Sequence, residues 1–252
     1  MRIFFQITNT KTRLFLKVTA MERFETTYGF ILNKALGIAN PVKKRIIKTE
    51  CEVHRIINVD ALKILKNDGH AEEYVFFSSY ISYIGKGAVW ADQDFKSSNH
   101  FYNPYKHKGL YGRKSAMDLG VDYYYKSLKL WHEGEFNQSQ FFLGAALHII
   151  QDMTIPQHAN IRLLNNHRQY ETFVKRTYQN IGDFQAERGA YLLDTIEEYI
   201  RFNARIALKV HKRFKKVTDD ERRYHLVTKC ALPLAKKTTA GAMVMFYRDI
   251  LN

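Results

Sequence analysis

The chain has 252 residues, of which 46% are hydrophobic and 14% aromatic. That is enough apolar material for one sizeable core and excludes a wholly disordered chain. Thirty-nine Lys and Arg against 25 Asp and Glu give a formal net charge of +14, which favours an anionic partner or substrate over a cationic one: lipid phosphate, nucleic acid or an anionic membrane surface. Cys51 and Cys230 are the only cysteines, so no disulfide framework is written here.

No stretch reaches the ~18 apolar residues that a membrane-spanning helix requires. Residues 1–20 are basic with short apolar patches, but Asn9, Lys11 and Arg13 interrupt any signal-peptide core. The expectation is therefore a cytoplasmic or peripheral membrane protein and not a secreted one. Met21 opens a better helical pattern, so 1–20 reads as an extension outside the fold and 21–252 as a single helical domain.

Apolar residues recur mostly at three- and four-residue spacing, the signature of amphipathic helices, so the class is all-α. The first helical patterns cover about 48–66 and 70–84. Segment 85–112 holds four glycines and a proline and reads as a long loop, a feature usually tied to function in compact domains. Ser115 can cap a helix running through Leu119, Tyr124 and Leu128 to a stop at Gly134. Asn137 can cap the next, through Leu143, Leu147 and Ile150, ending before Pro156. Further patterns cover 168–180, 187–214 and 220–250.

The sharpest local signal is ALHIIQDMTIPQH. His148 and Asp152 are four apart and project from one face of a helix, and His158 follows just beyond Pro156. Taken alone, such a pair is more often an exposed helix-surface pair. Here Leu147, Ile149 and Ile150 surround His148, and a buried charge must find a partner. An imidazole and a carboxylate at this spacing suit zinc. His167 and Glu171 repeat the four-residue spacing in NNHRQYETF. Asp92 and His100 fall on the predicted loop, and His54 sits among Val53, Ile56 and Ile57, where a satisfied core histidine is the ordinary reading.

Taken in order, His54, Asp92, His100, His148-x3-Asp152-x5-His158 and His167-x3-Glu171 resemble the metal-ligand series of the bacterial zinc-dependent phospholipases C. The HFYNP string and the F-L-G-x-x-L-H-x3-D string extend the likeness, which covers roughly 48–180. The resemblance implies a compact helical domain with two or three zinc ions between its helices. One would be held by Asp92, His100, His148 and Asp152, a second by His158, His167 and Glu171, and a third by His54 and a bridging Asp152. Asp92 would also act as base toward the attacking water. The implied reaction is water attack on phosphorus, releasing diacylglycerol and a phosphorylated head group.

The sequence departs from the pattern at three points. Processed members begin with a Trp that completes the third zinc site; no Trp precedes His54 here, and Cys51, one helical turn away, is a substitute ligand or a structural Cys. Gln93 stands where the family has an aromatic, so the likeness does not extend to choline recognition, which wants aromatic faces. The step from Asp92 to His100 is short, and Asp94 is a rival for the ligand role. Two other readings remain at this point. One is a nuclease-like phosphodiesterase on single-stranded nucleic acid, akin to a fungal nuclease family, with Tyr102, Tyr105 and Tyr111 available to stack bases. The other is a non-catalytic binding module stapled by metal.

Overall fold

The computed structural model describes residues 52–92, 99–109, 114–160 and 167–252, with the side chains of His167 and Arg168 excepted. The expectations placed on 1–20, Cys51, Gln93, Asp94 and Tyr111 lie outside the described residues. Those described fall within one compact unit.

Eight α-helices are found among them: α1 (Glu52–Asp68), α2 (Ala71–Asp92), α3 (Ala116–His132), α4 (Phe136–Asp152), α5 (Pro156–Asn160), α6 (His167–Thr177), α7 (Ile196–Phe214) and α8 (Asp220–Leu251). A 3-10 turn, Gly182–Phe184, precedes α7. No described residue belongs to a strand, and the all-α expectation is met.

The starts and stops follow from local chemistry. Ser115 and Asp118 form a reciprocal capping box at the head of α3, and Gly134 closes its end at φ +80°, a backbone that glycine adopts without a Cβ penalty. That turn also sets the start of α4 at Phe136, so Asn137 lies inside the helix and Glu135 takes the cap position without a side-chain bond. The helix expected over 187–214 begins only at Ile196. Asp68 accepts hydrogen bonds from the Gly189 and Ala190 amides, Tyr191 N–H donates to Lys237 O, and Thr195 caps the helix proper. The extended segment is thereby tied to α1 and α8, which offer its amides partners that a helix would have withheld.

The largest departure concerns 85–112. Helix α2 runs through Gly85 and Gly87 to Asp92, where a loop was expected. Gly87 serves packing, as does Gly144 on the facing helix. A Cβ on Gly87 would lie 1.7 Å from the Phe141 carbonyl oxygen, and one on Gly144 would lie 2.0 Å from that of Ile84. Helices α2 and α4 therefore cross with their backbones nearly touching. At Gly87 the glycine signal for a loop was a signal for close helix contact.

Helix α4 occupies the middle of the bundle, packed against α2, α3, α7 and α8. Ten consecutive residues, Leu143 to Asp152, are buried, as expected of a helix surrounded on all sides. The main core gathers Leu65, Phe77, Ile84, Leu147, Ile150, Tyr199 and Phe246 around it. A smaller core joins α1, α6 and α8 through Ile57, Tyr170, Phe173, Phe184 and Leu232.

Candidate metal centre

Because α4 is buried all round, His148 and Asp152 enter the interior as a charged pair that must be matched there. Three other segments supply the match. The end of α2 brings Asp92, the irregular stretch after it brings His100, and the first turn of α1 brings His54. Ligand atoms of Asp92, His100 and His148 lie within 4.8 Å of one another, and so do those of His54, His148 and Asp152.

The two carboxylate oxygens of Asp152 face different neighbours. Oδ2 is 2.9 Å from His100 Nδ1 and 3.1 Å from His148 Nε2. Oδ1 is 3.6 Å from His54 Nε2. His148 Nε2 and His100 Nδ1 are themselves 3.3 Å apart, so two imidazole nitrogens and one carboxylate oxygen converge on a small volume. Burial works against the charge of Asp152, but His148, His158 and the hydrogen bonds from His100 and His148 outweigh it and hold the carboxyl well below its usual range. Burial opposes protonation of His148 too, yet the attraction of Asp152 raises its pKa. His54 goes the other way: burial, reinforced by the charge of His148, lowers it to about 4. It stands neutral at pH 7, the form in which imidazole binds metal.

The donor set fits zinc. Its members are imidazole nitrogens and carboxylate oxygens from four separate segments. His148 Nδ1 and His100 Nε2 are buried without a hydrogen-bond partner, so the hydrogen bonds of the cluster do not close on themselves. A cation among the facing atoms would be held by the opposite nitrogens of the same two rings, His100 Nδ1 and His148 Nε2, together with Asp152 Oδ2.

Of the eight residues read from the sequence, the structure gathers His54, Asp92, His100, His148 and Asp152 into two overlapping groups. Asp92 comes as the last residue of α2 and not from a loop. His158, on α5, places its Nδ1 2.9 Å from the His100 carbonyl oxygen, and Tyr102 N–H donates back to His158 O. That exchange pins the His100 stretch to α5. Burial lowers the pKa of His158, again favouring neutral imidazole. Glu171, half-buried on α6, is near enough to raise the pKa of His148. His167 opens the same helix, with its side chain outside the described set.

Sequence reading missed Gln151. Its Oε1 is 2.8 Å from His54 Nδ1, and its amide nitrogen donates to Asn58 Oδ1 at 2.8 Å and Thr239 Oγ1 at 3.1 Å. An available signal was an amide within the buried run of α4, between Ile150 and Asp152. Asn58 and Thr239, both wholly buried, were hidden inside helical patterns far away in sequence.

Comparison with known proteins agrees with this geometry. A profile described as zinc dependent phospholipase C matches residues 53–224. A phospholipase C of Listeria monocytogenes is 31% identical over 118 residues, covering 43% of this chain and 40% of the relative. One from Clostridium perfringens is 26% identical over 214 residues, covering 75% of this chain and 52% of the relative. The chain thus spans about half the length of these relatives or less. Among solved structures, an alpha toxin from Clostridium absonum aligns with a TM-score of 0.70 at 17% identity, over 79% of this chain and 65% of the toxin. An alpha-toxin from an avian strain of Clostridium perfringens aligns at 0.66 and 19% identity, over 79% of this chain and 63% of that one. With the fold shared and the family profile covering more than half of its length, the chain belongs to the zinc-dependent phospholipase C family.

Proposed function

We propose that this chain is a zinc-dependent hydrolase that cleaves the phosphodiester of glycerophospholipids to diacylglycerol and a phosphorylated head group. The observation that carries the reading is the divided carboxylate of Asp152, which turns one oxygen to His54 and the other to His100 and His148. A bridging carboxylate of this kind suits a multi-metal site built for in-line displacement at phosphorus. The family match and the phospholipase C relatives support the same choice.

In this reading His100, His148, Asp152 and Asp92 hold one zinc, and His54 with Asp152 a neighbouring one. His158 and Glu171, with His167, serve the remaining position. Bound zinc supplies Lewis acidity toward water and the phosphate oxygens. The chain supplies the rest. In this reading Asp92, half-buried at the end of α2, takes the proton of the attacking water. The buried rings of His100 and His148 keep bulk water from the far side of the cluster.

Nucleic acid is the weaker substrate, because stacking needs open aromatic faces. Tyr102 is buried at 3% exposure with its hydroxyl against His107 Nδ1, which leaves Tyr105 as the one exposed member of the three among the described residues. Release of diacylglycerol from mixed phospholipid vesicles, run beside single-stranded DNA and a soluble phosphodiester, tests the proposal. Zinc-dependent lipid turnover with inert DNA is expected; DNA cleavage with intact lipid would overturn it.

A further inference from the structure

Gln151 has no place in the ligand series, yet it is the hub of a buried polar network. It lies in α4 directly before Asp152 and is 1% exposed. Its side chain reaches two neighbouring helices: its oxygen meets His54 of α1, while its nitrogen meets Asn58 of α1 and Thr239 of α8. Both amide protons are used on acceptors, which fixes the orientation of the amide and leaves the oxygen aimed at His54. An oxygen in that place can only accept. His54 must therefore donate from Nδ1, which leaves its Nε2 lone pair facing Asp152 Oδ1 at 3.6 Å.

We propose that Gln151 is a positioning residue that fixes His54 as an Nε2 ligand and thereby sets the affinity of the zinc shared by His54 and Asp152. The inference rests on the reading of His54 as a ligand. Groups that hold the far nitrogen of a ligating histidine fix its tautomer and ring angle, and their loss typically weakens metal binding by about 10- to 100-fold. The network also explains why an amide and not an acid stands here: only an amide can accept from His54 while donating to Asn58 and Thr239.

Zinc affinity and stoichiometry, measured on the full chain for the wild type and for H54A, Q151L, Q151E and T239V, test it. H54A loses one equivalent of zinc. Q151L weakens that same equivalent by about 10- to 100-fold, while Q151E, which keeps an acceptor toward His54, retains most of the affinity. In nitrogen-15 spectra of the zinc-loaded protein, a slowly exchanging proton on His54 Nδ1 is present in the wild type and lost or fast in Q151L. Wild-type zinc affinity together with an unchanged His54 proton in Q151L overturns the proposal. If Q151L fails to fold, T239V carries the test: it removes one anchor of the amide, and a weaker shift of the same sign is expected, with no shift overturning the idea. Full zinc content in H54A would remove His54 as a ligand and the proposal with it. A zinc loss confined to H54A would remove the proposal alone.

Discussion

Gly144 of α4 faces Ile84 of α2 so closely that a Cβ on the glycine would lie 2.0 Å from the isoleucine carbonyl oxygen. The obstacle is backbone, which cannot swing aside as a side chain can. Gly144→Ala must push the two helices apart, and overpacking of a tight core costs about 1–3 kcal/mol, occasionally more. Since α2 delivers Asp92 and α4 delivers His148 and Asp152, separation should also lower zinc affinity. The expected result is a lower melting temperature and weaker zinc binding together; a Gly144→Ala protein with wild-type values of both would show that the crossing is not rigid.

A second stability prediction concerns Asp60 and Lys236, whose charged atoms are 2.9 Å apart with Lys236 only 2% exposed. Lys236 also donates to Phe184 O and Gln185 Oε1, so it ties α1 and α8 to the turn before α7. Removing Lys236 leaves the buried Asp60 only the exposed Lys63, 2.7 Å away, at a cost of up to about 3–5 kcal/mol. Lys236→Met should therefore destabilise strongly in urea denaturation. Adding Asp60→Asn should recover part of the loss, and a purely additive double variant would deny the coupling.

The fold class and most helices were legible in the sequence because they depend on local spacing. His148 and Asp152 share a face at four-residue spacing whatever surrounds them, and Ser115 caps α3 through its own near neighbours. What could not be read depended on distant partners. Gly85 and Gly87 mark loops by propensity, and only the approach of Phe141 gives Gly87 another purpose. Asn58, Gln151 and Thr239 lie about 90 residues apart or more in two of their pairings, with no pattern in the chain to link them. The extended stretch before Ile196 was misread as helix for the same reason, its amides being claimed by Asp68 and Lys237.

The centre makes a prediction about stability as well as turnover. Its candidate ligands come from α1, α2, the His100 stretch and α4, so zinc bound there would add its binding free energy to folding free energy. At zinc a hundredfold above its dissociation constant the gain is about 2.7 kcal/mol for one site. Stripping with a strong chelator should lower the melting temperature by several degrees, and zinc should restore it. Asp152→Asn, which spoils both sides of the divided carboxylate, should abolish that restoration along with activity. A melting curve indifferent to chelator would sever the link between these residues and metal.

Asp92 separates two roles. If it takes the proton of the attacking water, Asp92→Asn should lower kcat by about 100- to 10,000-fold. If it is a ligand as well, bound zinc should fall in parallel. Elemental analysis beside kinetics therefore sorts the outcomes: full zinc with lost turnover leaves the base alone, and full activity removes Asp92 from the reaction.

The last prediction concerns the positive charge. Lys212 and Arg213 at the end of α7, with Lys215 and Lys216 just past it, are all exposed. Lys43, Lys44 and Arg45 form a second basic run, outside the described residues. The α7 cluster stands close to α5, the helix that holds the candidate ligand His158, for Lys215 shares a cavity of about 430 Å³ with Pro156, Gln157 and Asn160 of that helix. Basic side chains near an anionic bilayer each contribute about 1 kcal/mol, and salt screens that attraction over ~10 Å at 0.1 M. Replacing the four α7 residues with Gln should weaken binding to vesicles rich in anionic lipid at low salt, with the difference vanishing as salt rises. Turnover of a small soluble phosphodiester should change little, because none of the four supplies a candidate ligand. Vesicle binding that ignores both salt and the charge change would leave the cluster with no part in reaching the membrane, and a matching loss of soluble-substrate turnover would mean that it acts on the centre through α5 instead.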